Sequence, residues 1–124
     1  PLGSLAAETD GVLVHNANCV PAMLDNASED YVKNKHMVNG PWVDDSKGVF
    51  DPKTSDELDD LVEKANQCPC NGPNKDGHYE REAKADQPVG RTSKDSGAQI
   101  TSCYMVVQDR WGGVRTMYPI PCKD

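Results

Sequence analysis

The chain has 124 residues and a formal net charge of −7, and only 36% of its residues are hydrophobic. This length is enough for one domain, but so few apolar side chains provide a thin core and favour covalent cross-links. The acidic balance argues against a nucleic-acid backbone as the main ligand. The sequence also lacks an apolar run of the roughly 20 residues that a membrane-spanning helix needs.

The N-terminal region contains a processing remnant and a candidate strand. Pro1–Ser4 matches what a 3C-type protease leaves after removing an affinity tag. We therefore expect that a natural leader preceded the domain, which we assign to residues 5–124. Gly11–His15 has the composition of a short first strand. Val20–Leu24 begins a candidate helix with Pro21 in its first turn, where a missing N–H costs nothing.

The following stretch contains a candidate continuation of this helix, a glycosylation motif and two short apolar pairs. The helix could instead restart at Ser28, which leaves its bounds open. Asn26-Ala27-Ser28 matches the N-glycosylation acceptor pattern, which often arises by chance but fits the surface of a secreted protein. Trp42-Val43 is a candidate second strand, and Val49-Phe50 returns an apolar pair to the core.

The segment Thr54–Asn66 carries the clearest helix pattern in the chain. Thr54 and Glu57 form a capping box, in which each side chain bonds a backbone N–H of the other residue. Four apolar residues fall on one stripe at helical spacing, namely Leu58, Leu61, Val62 and Ala65. We predict that this stripe packs on a sheet.

Beyond this helix the sequence predicts loops and one strand before a final hairpin. Cys68-Pro69-Cys70 ends the helix, and Asn71–Gly77 is a loop by composition. His78–Ala83 is predicted as an edge strand. Asp86–Ser96 is polar and charged, and we expect a long mobile loop.

A β-hairpin is predicted from Ala98–Gln108 and Val114–Ile120, with Gly112-Gly113 as a two-residue turn. This turn sets three opposed pairs, namely Cys103 with Cys122, Met105 with Ile120, and Val107 with Tyr118. These pairs form a wholly apolar face, which we expect to point inward. The more mixed face, expected to point outward, carries Ser102, Tyr104, Val106, Pro119 and Pro121.

Five cysteines in so short a chain indicate disulfides and an oxidising compartment. A zinc or Cys-x-x-Cys site fits poorly, because the only close pair is Cys68 and Cys70, with one residue between them. In an extended Cys-Pro-Cys both side chains point the same way, so these two sulfurs can face Cys103 and Cys122. Each bridge would contribute about 3–4 kcal/mol.

The pairing among these four cysteines stays open. Cys68 could bond Cys122 while Cys70 bonds Cys103, or the two bridges could be crossed. A direct Cys103–Cys122 bridge is a third option, which would strand the other two. In each of the two stapled arrangements Cys19 is left over, either as a buried apolar residue or as an exposed thiol near a helix start that could join a partner covalently.

The histidines give little support for an enzyme. His15, His36 and His78 lie in no recognisable catalytic frame. His78–Glu82 contains the histidine, carboxylate and Arg81 that a small secreted ribonuclease would use. Alternating charges on an exposed strand give the same string, and we favour that interpretation. We predict no catalytic residue, cofactor or metal ligand.

With this cysteine spacing and acidic composition, the chain resembles the pair-forming secreted-in-xylem effectors of Fusarium wilt fungi. The resemblance spans residues 5–124 and rests on Cys19 and on the spacing of the other four, which are Cys68, Cys70, Cys103 and Cys122. It implies an α+β, killer-toxin-like two-layer sandwich, with two helices on one face of a four-stranded antiparallel sheet.

The same resemblance implies a secreted, non-enzymatic virulence protein that is recognised by host resistance proteins and could later enter host cells. Its partner would be a second secreted effector, bound as a heterodimer through an intermolecular disulfide at Cys19. Neither nucleic acid nor membrane is expected as a ligand. The alternative is a secreted inhibitor that presents the loop Asn71–Gly77 to a hydrolase.

Overall fold

The computed structural model describes residues 19–123. It contains two helices, α1 (Asn26–Lys35) and α2 (Leu58–Ala65). The strands are β1 (Val49–Phe50), β2 (Cys70–Asn71), β3 (Tyr79–Lys84), β4 (Gly90–Arg91), β5 (Ile100–Thr101), β6 (Cys103–Gln108) and β7 (Val114–Pro119). The expected strand Gly11–His15 and the remnant Pro1–Ser4 lie outside the described residues.

The strands form two antiparallel sheets. The larger sheet has the order β2-β3-β6-β7, and a smaller one has the order β1-β4-β5. Both helices and the larger sheet contribute to one core, whose least exposed members include Val32, Phe50, Ala65, Tyr104, Val106 and Met117. The predicted α+β architecture with disulfide bonds is confirmed, and the smaller sheet is an addition to it.

The helix α2 begins four residues later than Thr54. The stripe is buried as predicted, but the capping box is wrong. Thr54 lies in a short 3-10 turn, is itself buried, and donates its hydroxyl hydrogen to the carbonyl of Val89 at 2.9 Å. The hydroxyl therefore satisfies a buried loop carbonyl and no helix N–H. Glu57 precedes the helix without a side-chain capping bond.

The helix α1 does not begin near Cys19. Asp25 caps it by accepting from the Ser28 N–H at 2.8 Å, so the helix starts close to the alternative restart position. The segment 20–24 is instead held by Asn66, whose side-chain oxygen accepts from Ala22 N–H at 2.7 Å and whose amide donates to the Ala22 carbonyl at 3.0 Å. A side chain that pairs both backbone groups excludes a helix there.

Three other sequence expectations are wrong. Trp42 lies in a turn and Val43 follows it in irregular backbone, so the predicted strand does not form there. The stretch 86–96 contains β4 and a 3-10 turn at Lys94–Ser96, so it is a structured connection. β3 was expected at an edge, but it lies between β2 and β6.

The hairpin forms, but its register differs by two residues from the prediction. Met105 is opposite Tyr118 and Val107 is opposite Thr116, with an irregularity after Val107. The connection spans residues 109–113, because Asp109 accepts from the N–H groups of Trp111 and Gly113, each at 2.9 Å. A five-residue loop of this kind replaces the two-residue glycine turn.

The inward face of this hairpin is the opposite of the predicted one. Tyr104, Val106 and Met117 are fully buried against the helices, whereas Met105 and Tyr118 on the other face are only partly buried. Both faces carry apolar residues, so alternation alone does not decide between them. The mixed face can point inward because its polar atoms are satisfied there, as the Tyr104 hydroxyl donates to a main-chain carbonyl of α2 at 2.6 Å.

Candidate functional site

The structure corrects the cysteine pairing. Its two disulfides are Cys19–Cys70 and Cys103–Cys122, and Cys68 is the free thiol among the described residues. The direct bridge within the hairpin is therefore the option that forms, and neither stapled arrangement exists. Cys19 is bonded within its own chain, so its expected role as an intermolecular thiol is wrong.

The backbone after Cys19 explains why this residue reaches Cys70. Met23 donates its N–H to Gly112 at 2.7 Å and accepts from Val114 N–H at 3.1 Å, so it pairs with the end of the hairpin. Asn66 holds the neighbouring residue, as described above. These long-range bonds hold residues 22–23 at the hairpin end and after α2. Nearer Cys19, the Val20 carbonyl accepts from Arg81, whose cross-strand neighbour is Cys70. Local sequence patterns could not reveal this arrangement.

A buried polar pair, Arg81 and Gln108, lies under this segment. Arg81 Nε donates to Gln108 Oε1 at 2.8 Å, and its two terminal nitrogens donate to the carbonyls of Cys68 at 2.8 Å and Val20 at 3.2 Å. Gln108 Nε2 also donates to the Val20 carbonyl at 2.8 Å. The pair therefore connects β3 and β6 to the irregular backbone at Val20 and at Cys68, whose carbonyls have no partner in a sheet.

Burial lowers the pKa of Arg81, and Cys68 acts in the opposite direction. The residue is only 2% exposed, and the acceptors named above are neutral carbonyl and amide oxygens. Arg81 was considered as the phosphate-binding residue of a ribonuclease. Its inward position and hydrogen-bonded guanidinium argue against that role. The same burial shows that the other sequence interpretation, Arg81 as part of a solvated face, is also wrong.

Above the pair, the end of the hairpin presents an apolar surface that we call the tip patch, made of Val20, Met23 and Trp111. Their exposed fractions are 43%, 73% and 79%. Gly112, with φ of 92°, packs under Val20, and an added Cβ would lie 2.8 Å from the Val20 side chain. The guanidinium carbon of Arg110 lies 5.5 Å from the Trp111 ring centre, in a cation–π contact.

The tip patch was not identified from the sequence. The available signal was a tryptophan inside a polar, glycine-ended turn, where no core contact is expected. Met23 and Val20 could not be added to it without knowing that residues 20–23 pair with the turn.

The two histidines among the described residues lie in different surroundings. His36 is 2% exposed and lies 5.3 Å from the Tyr118 ring centre, whereas His78 lines a different surface groove beside α1. Within residues 19–123 there is no cluster of three or more potential metal ligands. In the same range we find no helix with the length and apolar character needed to cross a bilayer.

Comparison with known proteins adds no relative: no family model, curated protein or solved structure matches this chain.

Proposed function

We propose that the chain is a secreted, non-enzymatic virulence effector that acts by binding another protein, as one half of a heterodimer with a second secreted effector. The observation that carries this proposal is the tip patch. Three exposed apolar side chains lie together at one end of a strongly acidic chain. Exposed apolar side chains grouped in this way mark protein-binding sites, and tryptophan is among the residues enriched at binding hot spots.

The support beneath the patch favours a preformed binding surface. The Cys19–Cys70 bridge anchors one side, and Asp109 fixes the loop that carries Trp111. A surface that is already ordered loses little conformational entropy on binding. Because Cys19 is bonded within its own chain, the interaction is proposed to be non-covalent.

The acidic groove beside Met23 favours a basic group on the partner. Met23 also lines a shallow groove between the segment 20–24 and α2, and this groove carries the carboxylates of Asp59 and Glu63. A partner that places an apolar anchor on Trp111 and a lysine or arginine in the groove would complement both features. The net charge of −7 would accelerate its approach at low ionic strength.

Two further properties belong to this proposal. The two disulfides favour an oxidising compartment, and hence secretion. Asn26 is exposed at the start of α1, so a glycan there would project into solvent.

The test is to isolate the tagged chain from the secreted fraction of its native host and to measure the mass of the complex by light scattering. We expect one second secreted protein in a 1:1 complex that survives non-reducing and mildly reducing conditions. Met23→Ser combined with Trp111→Ala should weaken this complex at least about tenfold. Ile100→Ser is the matched control, because it removes an apolar side chain that is 63% exposed outside the patch.

A monomeric wild-type chain, or a complex unaffected by the double substitution, would contradict the proposal. Loss of virulence in the double variant but not in the control would link the patch to infection.

The inhibitor is the second candidate, because the loop 72–77 is exposed throughout and has a defined shape. Asn74 Oδ1 accepts from the N–H groups of Asp76 at 2.8 Å and His78 at 3.0 Å, and the loop follows directly on the strand that holds Cys70. Inhibition of a hydrolase that is lost in Lys75→Glu and retained in the tip-patch double variant would favour this candidate.

A further inference from the structure

A groove between α1 and the outward face of the hairpin has the lining of a small-molecule site. Its volume is about 470 Å³, and we call it the α1 groove. Pockets of this size can take a small molecule. It shares no residue with the tip patch. Its lining combines two buried valines with four polar side chains, namely Val107 and Val114 with Tyr31, His78, Arg115 and Thr116.

A β-bulge directs Arg115 into this groove. Val107 is opposite Thr116, but the next residue of β6, Gln108, is opposite Val114. Arg115 is therefore an extra residue in β7 without a cross-strand partner, and a bulge re-aims the side chain of such a residue. Arg115 and Thr116 consequently line the same groove, although neighbours in a regular strand point to opposite faces.

The charge of Arg115 is not used by the fold. Its side chain is exposed, and the ion pairs among residues 19–123 do not include it. The nearby carboxylates are Asp25, which accepts from the N–H of the lining residue Ser28, and Glu80, which is opposite Val107. Neither of them lines the groove. In a chain with 20 acidic residues, the lining of this groove is free of carboxylates.

Thr116 supplies a second unused polar group. Its Oγ1 is buried and has no hydrogen-bond partner among the described residues. A buried hydroxyl without a partner costs stability. Rotation about the Cα–Cβ bond would exchange the hydroxyl with the methyl group and turn it towards the groove. An acceptor bound beside Arg115 would then satisfy it.

We propose that the α1 groove binds a small molecule in which a phosphate group is attached to an apolar or aromatic body. Arg115 holds two oxygens of the phosphate through its fork of N–H donors, and His78 and the Thr116 hydroxyl donate to the others. The body lies over the buried valines against the Tyr31 ring. The net charge of −7 disfavours a polyanion such as nucleic acid, whereas salt screens the repulsion of a single phosphate.

The test is a titration of the isotope-labelled protein with phenyl phosphate, followed by the NMR shifts of its backbone amides, at about 0.15 M ionic strength. Inorganic phosphate and phenol are titrated separately as the two halves of the probe. We expect saturable shifts centred on Tyr31, His78 and Thr116, with phenyl phosphate at least about tenfold tighter than either half. No second protein is needed, so the result does not depend on the proposed function.

Three substitutions complete the test. Arg115→Ala should weaken binding of phenyl phosphate at least about tenfold, and Arg91→Ala, which removes an exposed arginine outside the groove, is the matched control. Thr116→Val should weaken binding about threefold or more without lowering the urea midpoint, because the hydroxyl has no partner in the free protein. The proposal is overturned by absent shifts or shifts centred elsewhere, by equal effects of the two arginine substitutions, or by tighter binding of a single-stranded oligonucleotide than of phenyl phosphate.

Discussion

The stability of this protein should depend on pH through His36. This histidine follows the last turn of α1, is buried beside the Tyr31 and Tyr118 rings, and has a pKa lowered from 6.5 to about 4. Burial is the main cause, and the nearby Lys35 and Lys47 ammonium groups add to it. The fold therefore favours the neutral imidazole.

The sign and size of the effect follow from these two values. Because the pKa of His36 is lower in the folded chain, its contribution is fully present above pH 6.5 and is lost as the pH falls towards 4. The gap between the two values corresponds to about 3 kcal/mol, with a slope of up to about 1.4 kcal/mol per pH unit. A loss of this size is a large part of the roughly 5–15 kcal/mol that a domain normally has.

The assay is urea unfolding at intervals between about pH 7 and pH 4.5. His36→Gln should remove the slope, whatever it does to stability at neutral pH, and His78→Gln is the matched control that should keep it. The exposed Asp25 and Asp44 have lowered pKa values, mainly because of hydrogen bonds from Ser28 and Ser46. Their contributions to the pH dependence of stability therefore fall below the pH range of the assay. A wild-type slope that persists in His36→Gln would refute the reasoning.

Three substitutions test the packing in the same unfolding assay. Asn66→Ala should cost about 1–3 kcal/mol, because both hydrogen bonds to Ala22 are lost, and limited proteolysis should then cut the segment 20–24 faster. Tyr104→Phe should cost about 1 kcal/mol through loss of the hydroxyl bond to Leu61, and an unchanged urea midpoint would show that this bond contributes nothing. Gly90→Ala should cost about 1–3 kcal/mol, because the methyl would lie 2.7 Å from Phe50 Cα and closer still to the Val49 carbonyl of β1, and a neutral effect would contradict that close approach.

Local sequence patterns were sufficient for prediction where the residue spacing within one element defines which of its side chains are buried. The stripe of α2 could be predicted because helical spacing alone defines a face, and the buried Leu58 and Leu61 confirm it. The hairpin strands were also recognisable from their composition. The register of the hairpin could not be predicted. The turn is longer than expected because the Asp109 side chain accepts from two backbone N–H groups, and such a side-chain acceptor leaves no periodic signal in the sequence.

The arrangement of the candidate site could not be predicted from local sequence patterns, for a different reason. The position of Cys19 depends on hydrogen bonds from Asn66, Arg81 and Gln108, which lie 44 to 88 residues from the backbone groups that they hold. Arg81 was expected in solvent because charged residues seldom become fully buried. Its burial requires three carbonyl acceptors to converge from separate segments, and only the folded chain supplies them.

The bridge from Cys19 to Cys70 also determines where a mechanical load enters the molecule. A pull applied upstream of Cys19 would pass through a covalent bond into the large sheet, and the hydrogen-bonded segment that follows would carry little of it. Tethering the protein by its N-terminal side should therefore leave Met23 and Trp111 in place. Surface-immobilised measurements should use that end of the chain.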